Sequence, residues 1–239
     1  MTFSIVIATF NPGEKLDNAI QSILNQTFKD FEIVIQDNNS TEKNTLEIFG
    51  KYKDVISIHR AKDKGIYDAF NHAISKCIGQ WVMFLGADDV LNNQDVLKSI
   101  HEYTHLKSAL ILGKIKNTEI QNHWVPENFQ SQMTSSIVWR NTIHQQGCCY
   151  YRDWLKHHPF PTHTRILGDY AVHLQAYLEK TPVIETNLTF AICQANGISK
   201  NFNKELYREE LTMKKEILPL HFYLLNWPWV KFKYWMKSS

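Results

Sequence analysis

The sequence is poor in cysteine, and its four cysteines are not placed for disulfide or zinc chemistry. Cys148 and Cys149 are adjacent, Cys77 and Cys193 are distant from them, and no pair has C-x-x-C spacing. A small domain held together by disulfides or by structural zinc is therefore disfavoured, and a reducing cytosol is the expected environment.

Long hydrophobic runs and a strong charge imbalance are also missing from the 239 residues. No segment reaches the roughly 18 uncharged apolar residues of a membrane-spanning helix. The N-terminus lacks the basic and apolar regions of a signal peptide, so none is expected. The formal net charge of +2 gives no argument for a nucleic-acid partner, and none is expected. The hydrophobic content of 44% is enough for a sizeable buried core.

Short apolar segments alternate with helical patterns through the first half of the chain, which predicts an α/β fold built from parallel βαβ units. The predicted strands are 3–8, 31–35, 55–58, a run beginning at 81, 109–116, 119–125 and 182–193. The predicted helices are 14–26, one starting after Ser40 or Thr41, 66–77, 94–106, 168–179 and 204–218. Residues 126–166 lack clear periodicity, so we expect loops with short elements, a kind of region that shapes a specificity pocket.

Two adjacent carboxylates, Asp88 and Asp89, end the apolar run that begins at Trp81. Ligands of open α/β sheets bind at this carboxyl edge of the strands. Two neighbouring acids repel each other, and a divalent cation with oxygen ligands would relieve that repulsion and could hold a diphosphate. Capping of the following helix is the alternative, but it needs only one acid, and Asn92 or Asn93 can supply it.

Polar residues also follow the first three predicted strands. They are Thr9, Asn11, Asp37, Ser40, Asp63 and Lys64. Asp37 could accept a hydrogen bond from the N3–H of a uracil, and Ser40 lies in the same turn. Lys64 could neutralise phosphate charge. The alternatives are simple helix capping for Asp37 and a solvated charged loop for Asp63 and Lys64.

Several segments in the same order and spacing resemble those of family 2 glycosyltransferases of the GT-A type. They are Ser4 to Asn11, Asp37 to Thr41, Asp63 to Asn71, Leu85 to Asp89, His144-Gln145 and Gly168-Asp169-Tyr170. The resemblance implies an α/β GT-A fold, with a Rossmann-like mixed central sheet flanked by helices. It implies a domain over 1–217, with a nucleotide-sugar-binding half at 1–116 and an acceptor half at 117–217.

The resemblance also implies roles for individual residues. Thr9 and Asn11 would lie where family members hold the nucleoside, and Asp63 and Lys64 would lie near the nucleotide and sugar. Asp89 would be the direct ligand of Mg²⁺ or Mn²⁺, which acts as a Lewis acid on the departing diphosphate.

Three further roles follow from the same resemblance. Asp88 would lean toward the ribose or sugar, His144 would contact the diphosphate or the donor sugar, and Asp169 would be the base. The alternatives are an N-terminal capping acid for Asp169 and a structural loop histidine for His144. The chain departs from the family pattern twice: Ala87 replaces the first acid of the D-x-D-like motif, and Phe70 stands where many members have an arginine.

The implied activity is the inverting transfer of one sugar from a nucleotide-sugar, most simply a UDP-sugar. The implied acceptor is a glycan or lipid-linked saccharide of bacterial surface polysaccharide synthesis. The absence of a Q-x-x-R-W motif and of spanning helices favours single addition. A non-catalytic nucleotide-sugar-binding module and a zinc hydrolase remain alternatives. The zinc alternative rests on the H-E-x-x-H pattern from His101 to His105, which chance explains better in a chain with eleven histidines.

The segment 218–239 combines large aromatic residues with lysines. Trp and Tyr favour the bilayer interface, and lysines favour anionic headgroups. We expect this tail to associate with a membrane surface, which would make the protein cytoplasmic and peripheral at the inner face of the cell membrane. The alternative is a tail whose aromatic residues pack on the domain.

Overall fold

The computed structural model describes residues 1–195 and 202–238, and within them nine strands form one mixed sheet. The strands are β1 (Phe3–Thr9), β2 (Phe31–Asp37), β3 (Ser57–Arg60), β4 (Trp81–Phe84), β5 (Val90–Leu91), β6 (Leu110–Thr118), β7 (Asn128–Gln130), β8 (Cys148–Tyr151) and β9 (Val183–Gln194). The helices are α1 (Lys15–Leu24), α2 (Lys43–Tyr52), α3 (Ile66–Ile74), α4 (Val96–His101), α5 (Arg152–His157), α6 (Gly168–Leu178), α7 (Lys204–Ile217) and α8 (Leu220–Ser238). Two short 3₁₀ turns cover Ser135–Val138 and Gln145–Gly147.

The strand order is β3-β2-β1-β4-β8-β6-β9-β5, with β7 paired to β6. The first four strands run parallel, as the alternation of strands and helices predicts. Strand β8 then runs antiparallel to both β4 and β6, so the complete sheet is mixed. The loops at the carboxyl ends of β1 to β4 therefore lie along one edge of the sheet.

Two hydrophobic cores cover the two faces of the sheet. Alternate side chains of a strand point to opposite faces, and β1 shows this: Val6 packs in the core with α3 and α6, whereas Ile5 and Ile7 pack in the core with α1, α2 and α4. All three side chains are fully buried. Helices on both faces of a largely parallel core are the expected solution for strands that are apolar on both sides.

The strand predicted over 119–125 is wrong. Glu119 has a φ of +54°, which takes the backbone out of the extended conformation directly after β6. The Asn122 side chain then accepts a hydrogen bond from the Trp124 N–H at 3.0 Å, and its carbonyl accepts one from Val125 at 2.9 Å. These local bonds form a turn, and the strand that pairs with β6 is the short β7 instead.

Two other predicted elements have different bounds in the structure. The third strand begins at Ser57, because the N–H groups of Val55 and Ile56 donate to the Tyr52 carbonyl in a turn that ends α2. The helix predicted over 94–106 spans only Val96–His101. In the described part of the chain, no helix is long and apolar enough to cross a membrane.

Candidate active site

A cavity of about 1030 Å³ lies between the carboxyl ends of β1 and β4 and the helices α3, α6, α7 and α8. Its size and mixed lining suit a nucleotide together with a sugar. The predicted site residues Thr9, Asp88, His144 and Asp169 all line it. Four predictions from distant parts of the sequence therefore converge on one cavity.

The ends of the first three strands meet side by side. The strand register places Thr9 of β1 beside Asp37 of β2, and Asp37 beside Arg60 of β3. The Thr9 hydroxyl is buried and has no hydrogen-bond partner, which leaves a polar atom at the cavity wall for a ligand to satisfy.

Asp37 is fully buried, and its carboxylate is held by three donors. The Ser40 N–H donates to Oδ2 at 2.9 Å, Arg60 Nε donates to Oδ2 at 3.0 Å, and the Ser40 hydroxyl donates to Oδ1. Arg60 also donates to the Ser40 carbonyl at 2.5 Å. This network fixes the turn after β2 and satisfies the charge of Asp37 with the Arg60 guanidinium.

Asn11, Asp63 and Lys64 lie at the same edge but outside the cavity wall. Asn11 has a φ of +47°, and its Oδ1 accepts hydrogen bonds from the N–H groups of Thr41 and Glu42 at 2.9 and 3.0 Å. Asp63 Oδ1 accepts from the Gly65 N–H at 3.0 Å, and burial raises the pKa of this carboxyl. Lys64 is exposed. In this structure Asn11 and Asp63 order loop backbone at the strand ends beside the cavity.

The two acids after β4 occupy different environments. Asp88 is exposed and lines the cavity, whereas Asp89 is only 4% exposed and lies beneath it. Asp89 Oδ1 accepts from the Gln194 N–H at 3.0 Å, and Oδ2 accepts from Gln146 Nε2 at 3.0 Å. Burial raises the pKa of Asp89 to about 6, and the negative charge of Asp88 adds to that effect.

This pair has the chemistry of a divalent-cation site, although the described residues do not preform a complete one. Within residues 1–195 and 202–238, no cluster of three or more His, Cys, Asp or Glu side chains could hold a metal ion. The desolvated Asp89 carboxylate and its charged neighbour would both be stabilised by a hard cation. Donor phosphates and water are the natural source of further ligands.

Asp169 lies in the first turn of α6 and is oriented by Tyr67 of α3. The Tyr67 hydroxyl is 3.0 Å from Asp169 Oδ1 and 2.8 Å from the Ile166 carbonyl. Gly168 permits this contact, because a Cβ at that position would lie 2.7 Å from the Tyr67 ring and from Thr164 Oγ1. The close approach of α3 and α6 therefore holds a carboxylate at the cavity wall.

A model of the family described as "Glycosyl transferase family 2" matches residues 4–163 of the chain. The chain belongs to glycosyl transferase family 2. The match includes every predicted site residue except Asp169, which lies just beyond it.

Two curated relatives cover most of this transferase. It is 31% identical over 227 residues to a "PGL/p-HBAD biosynthesis glycosyltransferase" of Mycobacterium bovis, with 90% of this chain and 86% of that protein covered. It is 27% identical over 243 residues to the Escherichia coli enzyme "UDP-Glc:alpha-D-GlcNAc-diphosphoundecaprenol beta-1,3-glucosyltransferase WfaP", with 93% and 92% covered.

The fold of the transferase matches that of S. aureus TarS 1-349 in complex with UDP-GlcNAc. The TM-score is 0.72 at 22% identity, with 91% of this chain and 67% of the TarS chain covered. The chain thus spans about two thirds of that TarS fragment. The predicted GT-A fold, with its mixed central sheet and flanking helices, is confirmed.

The transferase cavity also contains residues that sequence patterns did not identify. Gln146 and Tyr67 contact the two key carboxylates, Asp89 and Asp169. Both belong to segments that carry the family resemblance or directly follow one, so that resemblance was the available signal. Lys233 and Lys237 of α8 line the cavity as well, although their segment was predicted to be a membrane-associating tail.

His144 contributes to the cavity wall of the transferase from the loop before β8. Its ring packs edge-on against Phe129, with the ring centroids 5.9 Å apart, and its N–H donates to Ser131 Oγ at 3.1 Å. These contacts fix the loop that also carries Gln146. The position is compatible with a contact to the donor and with a purely structural role.

The H-E-x-x-H pattern does not form a zinc site in the transferase. The helix α4 ends at His101, so His105 lies in the following turns rather than one helical turn further on. The His101 ring packs against Phe28 with centroids 4.5 Å apart, and its Nδ1 is 3.2 Å from Thr104 Oγ1. These two histidines therefore do not converge as metal ligands.

Proposed function

We propose that this glycosyltransferase moves one sugar from a UDP-sugar to a saccharide acceptor with inversion, in the synthesis of a bacterial surface glycan. Residues 1–116 form the half that binds the donor, and residues 117–217 form most of the acceptor half. The relative from E. coli is named for a UDP-Glc donor and a diphosphoundecaprenol-linked acceptor, which supports a donor and an acceptor of these classes.

The observation that carries the proposal is the shared cavity of Asp88 and Asp169. Asp88 follows the carboxyl end of β4, where nucleotides bind in open α/β sheets. Asp169 comes from α6 and is held by Tyr67, so it enters the same cavity from a separate element. Inverting displacement requires a carboxylate that accepts the proton of the acceptor hydroxyl on the face of the sugar opposite the leaving diphosphate. The Asp169 carboxylate at the cavity wall supports its assignment to this role.

In our proposal Thr9, Asp37 and Ser40 define the nucleoside end of the cavity, with Asn11, Asp63 and Lys64 shaping its loops. His144 faces the diphosphate or the donor sugar. The Thr9 hydroxyl acquires the hydrogen-bond partner that it lacks in the protein alone. Asp37 either contacts the base through the lone pairs left free by its three donors or holds the turn that does.

Asp89, with Asp88 beside it, is the proposed ligand of Mg²⁺ or Mn²⁺, which would supply positive charge against the leaving diphosphate. Asp89 Oδ2 would exchange its hydrogen bond from Gln146 for the cation. The Gln194 N–H would keep Oδ1 in place. Binding of the cation is therefore expected to strengthen when the donor is present, because the protein supplies few ligands.

The test combines two isosteric variants. Asp169→Asn removes the base but no donor contact, so we expect sugar transfer to fall by at least about 100-fold while UDP-sugar affinity stays within about twofold. Asp89→Asn should instead abolish the increase in UDP-sugar affinity that Mn²⁺ produces. Transfer at the wild-type rate in Asp169→Asn would reject the assignment of the base. UDP-sugar binding without turnover against any acceptor extract would favour a non-catalytic binding module.

We also propose that one face of α8 lies on a membrane surface, which would place the transferase at the inner face of the cell membrane. Exposed apolar residues of α8 include Leu220 at 70%, Leu224 at 60% and Trp235 at 66% exposure, and Lys231 is exposed among them. Apolar and aromatic side chains next to lysine favour the interface of an anionic bilayer.

Point substitutions test this membrane face better than truncation, because deleting α8 also removes Lys233 and Lys237 from the cavity. The triple variant Leu220→Ser, Leu224→Ser and Trp235→Ser should lose co-sedimentation with vesicles of phosphatidylglycerol. Its UDP affinity should remain unchanged. Equal co-sedimentation of the variant and the wild type would reject the membrane face.

A further inference from the structure

A cluster of cationic side chains surrounds one carboxylate at the far end of the cavity. Glu210 of α7 is 2.8 Å from Lys214 Nζ and 2.5 Å from Lys233 Nζ. Lys214 is completely buried and also donates to Asn226 Oδ1 at 2.9 Å. Glu210 and Lys233 line the cavity, and so does Lys237. Glu210 therefore forms ion pairs with a lysine of α7 and with a lysine of α8.

Arg140 adds a further positive charge to the same end. It is exposed and lines the cavity beside Trp139, whose carbonyl accepts from Lys214 Nζ and Lys233 Nζ at 3.1 Å each. Burial lowers the pKa of Lys237, and the positive charges of Lys233 and Arg140 lower it further, although Glu210 acts against this. Arg140 and Lys237 therefore share a common electrostatic environment.

The neighbouring acids of α7 pair with other groups. Glu205 is 3.2 Å from the Arg165 guanidinium. Glu209 accepts the N–H groups of residues 165, 166 and 167 at 3.1, 2.8 and 2.7 Å. In the described ranges, no carboxylate lies within ion-pair distance of Arg140 or Lys237. Lys237 Nζ lies instead over the rings of Phe202 and Trp124, at 3.9 and 5.3 Å from their centroids.

Two cations, Lys214 and Lys233, thus pair with Glu210, and two more, Arg140 and Lys237, lie at the same end of the cavity without a carboxylate at ion-pair distance among the described residues. An excess of positive charge in a partly enclosed site favours an anionic ligand. Lys214 and Lys233 are held by Glu210, so Arg140 and Lys237 are the cations available to a ligand. The donor diphosphate belongs at the other end, beside Asp88 and the strand ends.

We propose that Arg140 and Lys237 form an anion subsite that binds a phosphate group of the acceptor while the acceptor hydroxyl faces Asp169. The inference rests on the proposed sugar transfer and specifies its acceptor as a phosphate-bearing saccharide or polyol. A guanidinium and an ammonium are the usual partners of a phosphate ester. The aromatic rings of Trp124 and Phe202 form the wall beside this subsite.

The first experiment measures binding of inorganic phosphate to the full chain saturated with UDP and Mn²⁺, so that the donor site is occupied. Phosphate should stabilise the wild type against thermal unfolding in a dose-dependent way at constant ionic strength. Arg140→Gln and Lys237→Gln should each weaken phosphate binding by about tenfold, whereas Arg140→Lys should retain most of it. Lys231→Gln is the matched control, because Lys231 lies on α8 outside the cavity, over the Trp227 ring. Equal phosphate affinity in all variants would overturn the subsite.

The second experiment compares acceptors in a transfer assay. One arm uses GlcNAc diphosphate on a short prenyl chain, and the other uses a ribitol phosphate oligomer, each against its phosphate-free counterpart. Arg140→Gln and Lys237→Gln should raise KM by about tenfold for the phosphorylated acceptor that is used and leave its neutral counterpart and the UDP-sugar affinity unchanged.

Each result separates the two proposals. An equal rise in KM for neutral and phosphorylated acceptors, or a loss of UDP affinity, would refute the anion subsite while sugar transfer stands. Failure of the wild type to transfer sugar from any UDP-sugar that it binds would reject the proposed function, and the phosphate titration would still report on the subsite. The arm in which the phosphate effect appears distinguishes a lipid diphosphate from a polyol phosphate.

Discussion

The strongest prediction for stability concerns Glu210, because this carboxylate holds two lysines from two helices. Replacing it with glutamine leaves Lys214 buried, at 0% exposure, without a counter-ion. Removing one partner of a buried ion pair costs about 3–5 kcal/mol in folding free energy. We therefore expect Glu210→Gln to lower the free energy of unfolding by about 3 kcal/mol or more.

Replacing Lys214, the partner of Glu210, should cost less folding free energy than replacing Glu210. The two variants therefore form a matched test. In Lys214→Met, Glu210 keeps its contact with Lys233 at 2.5 Å, so no buried charge is left unpaired. Trp139 keeps the hydrogen bond from Lys233 to its carbonyl. Only the Oδ1 atom of Asn226 loses its donor, since Nδ2 still donates to the Phe222 carbonyl, and one unsatisfied buried polar atom costs about 1–3 kcal/mol.

The pH dependence of the Glu210→Gln effect has a definite sign. Burial lowers the pKa of Lys214 from 10.5 to about 8, and Glu210 acts against this decrease. A lysine whose folded-state pKa is lowered costs stability at low pH, and this cost is relieved as pH rises from about 8 toward 10.5. Without Glu210 the folded-state pKa falls further, so the variant's deficit should grow as pH falls below about 8 and stay at its smallest value above it.

Urea unfolding of the wild type and both variants at pH 6.5 and pH 9 measures these differences, provided that the m values agree. The reasoning is refuted if Lys214→Met is the more destabilised variant at pH 6.5. It is also refuted if the deficit of Glu210→Gln is the same at both pH values.

Three further predictions concern the site. Tyr67→Phe removes the hydroxyl 3.0 Å from Asp169, so kcat should fall by about tenfold while the Kd for UDP is unchanged. An equal fold loss of kcat and of UDP affinity would contradict an orienting role. Gly168→Ala should displace the Tyr67 ring, which lies 2.7 Å from the new Cβ, and lower kcat in a steady-state assay without changing UDP binding. Arg60→Gln removes the cation paired with Asp37 and should weaken UDP binding. Because Arg60 is partly exposed, the free energy of unfolding measured by thermal unfolding should fall by only about 1 kcal/mol.

The position of the candidate site was predictable because the strand ends of a parallel sheet share one edge. The apolar runs before Thr9, Asp37 and Asp88 identify those ends in the sequence, and the structure brings Thr9 and Asp88 into one cavity. The partnership of Asp37 with Arg60 was not predictable, because it depends on the register between β2 and β3. The third strand was predicted over 55–58 and lies at Ser57–Arg60, so the prediction left Arg60 beyond the strand end.

The role of α8 could not be predicted from composition. Lys231 and Lys233 are two residues apart, which places them on opposite sides of a helix. Lys233 packs against Glu210 in the interior, whereas Lys231 is exposed over Trp227. Which lysine faces inward depends on the packing of α8 against α7, and the hydrophobic pattern of the aromatic-rich segment does not indicate it.

Because α8 carries an apolar face outside and two lysines inside the cavity, attachment to a bilayer would fix the direction in which the cavity opens. A lipid-linked acceptor that diffuses in the plane of the bilayer would then meet the cavity from a constant side, and its search would be two-dimensional. Donor nucleotide would arrive independently from the aqueous phase at the strand ends. Exchange of α8 between relatives would accordingly change how the enzyme samples its acceptors while its affinity for donor stays the same.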